Sequence, residues 1–206
     1  MNLNWDILFF LSSVVLISLS GVMMPGPLFA VTVVKGYKNK NSGFLISIGH
    51  GIVEIPLMIL IYLGFTRLLT SDIVKIAISL SGGLMLIFMG YQMFRQRKTS
   101  FASVEDNHNN SLAAGIFTTA LNPYFLLWWA TIGAALILTT RKYGVMGFIL
   151  FVIIHWLCDF FWCSFISLAV FKSRYLWSPK VQQTVITICA FVLLGFGGWF
   201  IYNVIS

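Results

Sequence analysis

The chain has 206 residues, 59% hydrophobic and only 9% charged, with a formal net charge of +7. Soluble domains carry about 25% charged residues, so this composition excludes a water-soluble globule and describes an integral membrane protein. The basic residues lie scattered over loops between apolar runs, which argues against a nucleic-acid surface and fits orientation in a bilayer.

Six runs are long enough to cross a bilayer at about 20 residues each. They cover roughly 7–34, 43–66, 73–94, 112–139, 145–171 and 181–204. The stretch from Met1 to Asp6 has no basic residue, and the first run is too long for a secretory leader, so no cleaved signal is expected. Inside that run, Pro25-Gly26-Pro27 should break the helix, because neither proline has an N–H to donate and each ring crowds the carbonyl four residues back. Freed carbonyls survive in hydrocarbon only beside protein or a water-filled cavity, so a break at mid-membrane depth is a candidate binding site.

The second run carries His50 and Glu54, and the fifth carries His155 and Asp159. Of six acidic residues, only Glu54 and Asp159 sit deep in apolar segments. A lone charge at bilayer centre costs at least a few kcal/mol, so such residues face a cavity, pair, or bind an ion. Each histidine precedes its acid by four residues and shares its helix face. Such a pair could relay protons, hold a cationic substrate or ligate a divalent metal.

Caps support the boundaries. Ser71 and Asp72 suit the start of the third helix, Asn110 and Ser111 the fourth, and Ser178 with Pro179 the sixth. The longest connection, Arg95 to Asn110, is polar, and 99–110 reads as a flexible linker. The fourth run contains a second break, Leu121-Asn122-Pro123. Gly82, Gly83, Gly90, Gly195, Gly197 and Gly198 would permit close helix contacts. Trp128, Trp129, Trp156 and Trp162 read as packing or lipid-facing, whereas Trp5, Trp177 and Tyr202 suit interfacial anchoring. Cys158, Cys163 and Cys189 form no C-x-x-C pair and read as buried free thiols.

Loop charge sets the orientation. The odd-numbered connections hold nine Lys and Arg and the even-numbered ones four, which places the odd ones in the cytoplasm and both termini outside. A proline break followed by a His-x-x-x-acid pair occurs in both 1–98 and 111–206. The expected fold is therefore all-α, one transmembrane domain of six helices in a 3+3 inverted repeat, with the first and fourth helices broken. No Walker, Rossmann or metalloprotease motif is present, and neither an enzyme nor a cofactor is expected.

The whole pattern resembles the lysine-exporter (LysE/RhtB) family of amino-acid exporters. The residues that carry the likeness are Met24-Pro-Gly-Pro-Leu-Phe29, Lys35-Gly-Tyr-Lys38, Gly49-His-Gly-Ile-Val-Glu54, the Gly83–Gly90 run, Leu121-Asn-Pro123 and Asp159. The chain departs from that family in having Glu rather than Asp at position 54, and in His50 and His155. The resemblance implies a secondary exporter in the cytoplasmic membrane, moving amino acids or related small solutes outward against protons. Its expected partners are that substrate, protons and the lipid bilayer, with room for a homodimer. The substrate would meet Pro25, Gly26, Pro27, His50, Glu54, Asn122, Pro123, His155 and Asp159, with Glu54 and Asp159 exchanging protons. One alternative is a divalent-metal exporter with His50, Glu54, His155 and Asp159 as ligands. Another is a non-transporting membrane scaffold subunit. Thiol–disulfide electron transfer, known in the wider superfamily, is set aside because Cys158 and Cys163 stand five apart on one helix.

Overall fold

The computed structural model describes residues 3–24, 26–65, 72–97 and 108–205, and these contain helices and turns but no strand. Large apolar side chains point outward, Phe9 being 80% exposed, whereas Glu54 is 1% exposed. Apolar outside and polar inside is the arrangement that lipid demands. Five helical stretches are long and apolar enough to cross a membrane: Trp5–Val22, Ser42–Tyr62, Asp72–Arg95, Pro123–Leu176 and Pro179–Val204.

The first predicted run is two helices. α1 (Leu3–Val22) starts earlier than expected, with Asp6 in its first turn, where a negative charge favours the helix dipole. The chain then opens before α2 (Pro27–Lys38), which has a proline in its first turn and an extended Gly26 ahead of it. Pro25 lies outside the described residues. α3 (Ser42–Tyr62) carries Pro56 in its interior, and α4 (Asp72–Gln96) begins at the anticipated Asp72. Ser71 lies outside the described residues, as do 98–107 of the predicted linker. His108–Asn110, assigned above to that linker and its cap, already form the first turn of α5 (His108–Ala120).

At Leu121 the backbone opens again, and α6 (Pro123–Trp128) begins. Asn122 is its cap, its side-chain oxygen accepting a hydrogen bond from the Tyr124 N–H at 3.1 Å. Replacing a side-chain cap by alanine typically costs about 1 kcal/mol. Asn122→Ala should therefore lower stability by about that much, read as a fall in the thermal midpoint of the detergent-solubilised protein. A single π-helical turn, Trp129–Gly133, joins α6 to α7 (Ala134–Thr140).

A tight turn at Arg141–Tyr143 and Gly144, at φ +67, lead into α8 (Gly144–Ser173). That positive φ suits glycine alone and turns the chain back. Phe151 and His155 of α8 consequently meet the ring of Trp129, with centroids 6.4 and 5.1 Å apart. The 54-residue helical run Pro123–Leu176 is thus a hairpin rather than one rod. α9 (Pro179–Ile205) starts after Ser178, whose hydroxyl accepts from the Val181 N–H at 3.3 Å.

Packing follows a paired scheme. α3 lies against α8, and α4 runs along α9. α1 packs on α8 while α5 packs on α3, and α2 meets both α8 and α9 while α6 meets α4. Three of the predicted glycines, Gly83, Gly90 and Gly197, hold α4 to α9. A Cβ on Gly83 would sit 2.9 Å from the Gly197 carbonyl oxygen, and one on Gly197 would sit 2.7 Å from that of Gly83. Gly195 and Gly198 have nothing within 4 Å of a Cβ position, so the close contact expected of them is not made among the described residues. Trp5 and Tyr202 are exposed as anchors should be, but Trp177 packs on Tyr37 with ring centroids 5.4 Å apart.

Candidate functional site

α3 and α8 cross with their ionisable residues facing one another. The i, i+4 spacing puts His50 above Glu54 on α3 and His155 above Asp159 on α8, and the helix crossing merges the pairs into one buried cluster. Glu54 Oε1 is the shared centre, 3.0 Å from His50 Nε2 and 3.3 Å from His155 Nε2. Asp159 is looser, with Oδ1 3.6 Å from His50 Nε2 and Oδ2 3.9 Å from His155 Nε2.

The far nitrogen of each imidazole is held by a hydroxyl from the opposite half of the chain. Ser18 Oγ on α1 lies 2.7 Å from His155 Nδ1, and Thr119 Oγ1 on α5 lies 2.8 Å from His50 Nδ1. Each short helix that ends at a break thereby fixes the ring orientation of a histidine on the other half. Both Nε2 atoms are left facing carboxylate. Two carboxylates with two neutral imidazoles would bury two negative charges, which demands compensating positive charge from protons or a ligand.

Above this cluster lies a half-open cleft with a cavity of about 110 Å³. It is walled by Gly26 and Pro27 at the first break, Asn122 at the second, and His50, Glu54, His155 and Asp159. Two oxygens of the acid pair, Glu54 Oε2 and Asp159 Oδ2, are buried without a hydrogen-bond partner. Pro123 does not line the cleft, since its ring lies against Gly82 of α4. The sequence therefore placed seven of its nine candidates on one wall. Pro25 is undescribed, and Pro123 shapes the break from behind.

The aromatic wall was missed. Trp128, Trp129 and Trp162, read above as packing or lipid-facing, line the cleft together with Phe125. Neighbouring residues of an α-helix point about 100° apart, yet Trp128 and Trp129 both reach His155, with ring centroids 5.3 and 5.1 Å away. Both indole rings are long enough to converge on His155 from adjacent positions, and the Trp129 ring folds over Gly133, where no side chain competes for the space. Trp156 does behave structurally, donating from Nε1 to the Ser47 carbonyl at 3.1 Å.

The family model for LysE type translocators matches residues 19–204. The chain belongs to the LysE-type translocator family. It is 27% identical over 207 residues to "Putative amino acid efflux protein YcgF" of Bacillus subtilis (strain 168), covering 94% of this chain and 95% of that protein. No solved structure matches it significantly. This translocator is accordingly a multi-pass membrane protein, with its ionisable cluster and both helix breaks on a single cleft.

Proposed function

We propose that the chain is a secondary exporter in the cytoplasmic membrane, moving amino acids or related ammonium-bearing solutes outward in exchange for protons. The observation that carries this reading is the pair of buried, unpartnered oxygens, Glu54 Oε2 and Asp159 Oδ2, on acids that line the cleft. A buried acceptor without a donor is costly, and an ammonium group or a proton would satisfy it. The aromatic wall would take the apolar part of the cargo. The uncapped start of α2 at Gly26 would offer backbone N–H groups to a carboxylate. The similarity to a protein named for amino acid efflux supports the substrate class.

The cluster belongs to both halves, which suits alternating access. The proposed architecture is a 3+3 inverted repeat of six crossings, the fourth being α5 together with the α6–α7 stretch. The exchange of partners supports it in part, since α1 on α8 mirrors α5 on α3 and α2 on α9 mirrors α6 on α4, while the larger contact of α2 with α8 has no comparable counterpart between α6 and α3. Rocking of one half against the other would expose Glu54 and Asp159 alternately to the two sides. The excess of basic residues in the odd connections supports placing both termini outside.

The test uses proteoliposomes with a pH-sensitive dye inside, challenged with a panel of amino acids. One or more should drive proton movement in the native protein, and Glu54→Gln should lose that response. Flux of a labelled amino acid with no accompanying proton movement would remove the coupling, and absence of flux across the panel would remove the substrate class.

A further inference from the structure

The ionisable cluster has a second property that the efflux reading does not use. Its donor atoms are arranged as a closed set rather than as two separate pairs. Glu54 Oε1 sits 3.0 and 3.3 Å from the two imidazole Nε2 atoms, and the Asp159 oxygens complete the set at 3.6 and 3.9 Å. Zinc bonds nitrogen and carboxylate oxygen at about 2.0–2.2 Å, so neighbouring ligands of a tetrahedral ion stand about 3.3 Å apart. The spacings found here bracket that value. The donor atoms of His50, Glu54 and Asp159 all lie within 4.8 Å of one another, and His155 Nε2 joins that trio at its edge, 3.3 Å from Glu54 Oε1.

Three further observations point the same way. All four residues are buried, none more than 6% exposed. Glu54 Oε2 and Asp159 Oδ2 have no hydrogen-bond partner, so the carboxylates retain unused coordinating capacity. Each imidazole is fixed through its Nδ1 by a hydroxyl, Ser18 for His155 and Thr119 for His50. Metal-ligating histidines are held in this way, with the far nitrogen on an oxygen and the near one presented to the ion.

We propose that His50 Nε2, His155 Nε2 and the carboxylates of Glu54 and Asp159 form a site for a divalent transition-metal ion between the two halves. Two imidazoles with two carboxylates suit zinc, cobalt or nickel, whereas magnesium and calcium favour all-oxygen shells. A dication neutralises both carboxylates at once, and it occupies the place proposed for an ammonium group. Metal and amine are therefore competing ligands. The proposal stands on the donor geometry alone and does not depend on amino-acid export.

The test is direct binding to purified detergent-solubilised protein at neutral pH, with no transport involved. Co²⁺ titration should give one ion per chain, with the intense visible absorption of four-coordinate cobalt, and Zn²⁺ should displace it. Mg²⁺ and Ca²⁺ should not. His155→Gln should abolish the spectrum, and His108→Gln, which changes the remaining histidine, should leave it intact. Ser18→Ala and Thr119→Ala keep all four donors and should weaken binding about 10–100-fold, a graded result that serves should His155→Gln fail to fold. Monodisperse native protein that binds no stoichiometric Co²⁺ or Zn²⁺ overturns the site. So does binding that survives His155→Gln, or that is unaltered by both hydroxyl variants.

Discussion

Glu54→Gln should lower the initial rate of efflux about 100-fold while leaving the protein folded. The change is nearly isosteric, so packing of the buried side chain is kept. It replaces the single carboxylate that touches both imidazoles, at 3.0 and 3.3 Å, with a neutral amide. Removing one partner of a buried ion pair typically costs about 3–5 kcal/mol, because the remaining charge is left uncompensated. Here Asp159 alone is left to face the two histidines, and the carboxylate proposed for cargo or proton is gone. Asp159→Asn should be milder, about tenfold, since Asp159 stands 3.6 and 3.9 Å from the same nitrogens. The measurement is efflux of labelled amino acid from proteoliposomes with matched protein incorporation. A Glu54→Gln rate within about twofold of the native one would show that the cluster does not carry the cargo.

The second large effect is steric. At the crossing of α3 and α5 the two backbones touch, and a Cβ on Gly115 would overlap the Ile46 carbonyl oxygen. A Cβ on Gly49 would overlap the Leu112 carbonyl oxygen from the other side. Neither obstacle is the movable end of a side chain, so the helices themselves must separate. Overpacking that shifts backbone costs about 3 kcal/mol, which for a chain of this size is a fall of roughly 6–12 °C in thermal midpoint. Gly115→Ala should show that fall and, in addition, loss of transport. Thr119 lies one turn beyond Gly115, and His50 is next to Gly49, so parting the helices breaks the 2.8 Å contact that orients the imidazole. Gly198→Ala is the control, because its Cβ would meet nothing within 4 Å. Its midpoint should stay level or rise slightly, since alanine is the better helix former. Equal effects at the two positions would sink the explanation.

What the sequence revealed was what is anomalous in an apolar run. Prolines flanking Gly26, an Asn-Pro at 122–123, and two acids each preceded by a histidine stand out because hydrocarbon penalises each of them. Their convergence on one cleft follows from the helix crossing, but the partner of each residue does not. Ser18 and Thr119 passed unnoticed for a physical reason. A hydroxyl in a membrane helix can satisfy itself on a carbonyl one turn back, as Ser12 does on Leu8 at 2.8 Å, so its presence carries no signal. Only the structure separates the hydroxyls that turn inward to a histidine from those that fold back on their own helix.

Trp128 and Trp129 pack in the core as expected, but their joint approach to His155 was not foreseen. Helical periodicity sends adjacent side chains in different directions, and the sequence does not show that two large rings can still converge, one of them folded over Gly133. The boundaries of the first run were off for simpler causes. α1 begins before Asp6 because a polar first turn is compatible with a helix end, and α2 continues through Lys35 to Lys38, beyond the apolar residues.

The two breaks differ in how they are fastened. Asn122 ties the second with a hydrogen bond to the Tyr124 N–H, while Gly26 at the first has no side chain with which to do so. A motion that straightens or rewinds the second joint forfeits that bond. The same motion at the first joint forfeits nothing comparable. A cap worth about 1 kcal/mol corresponds to about a fivefold difference in population. The two breaks are thus unequally fastened, and opening or rewinding them does not cost the same. The Gly26 side is the softer of the two.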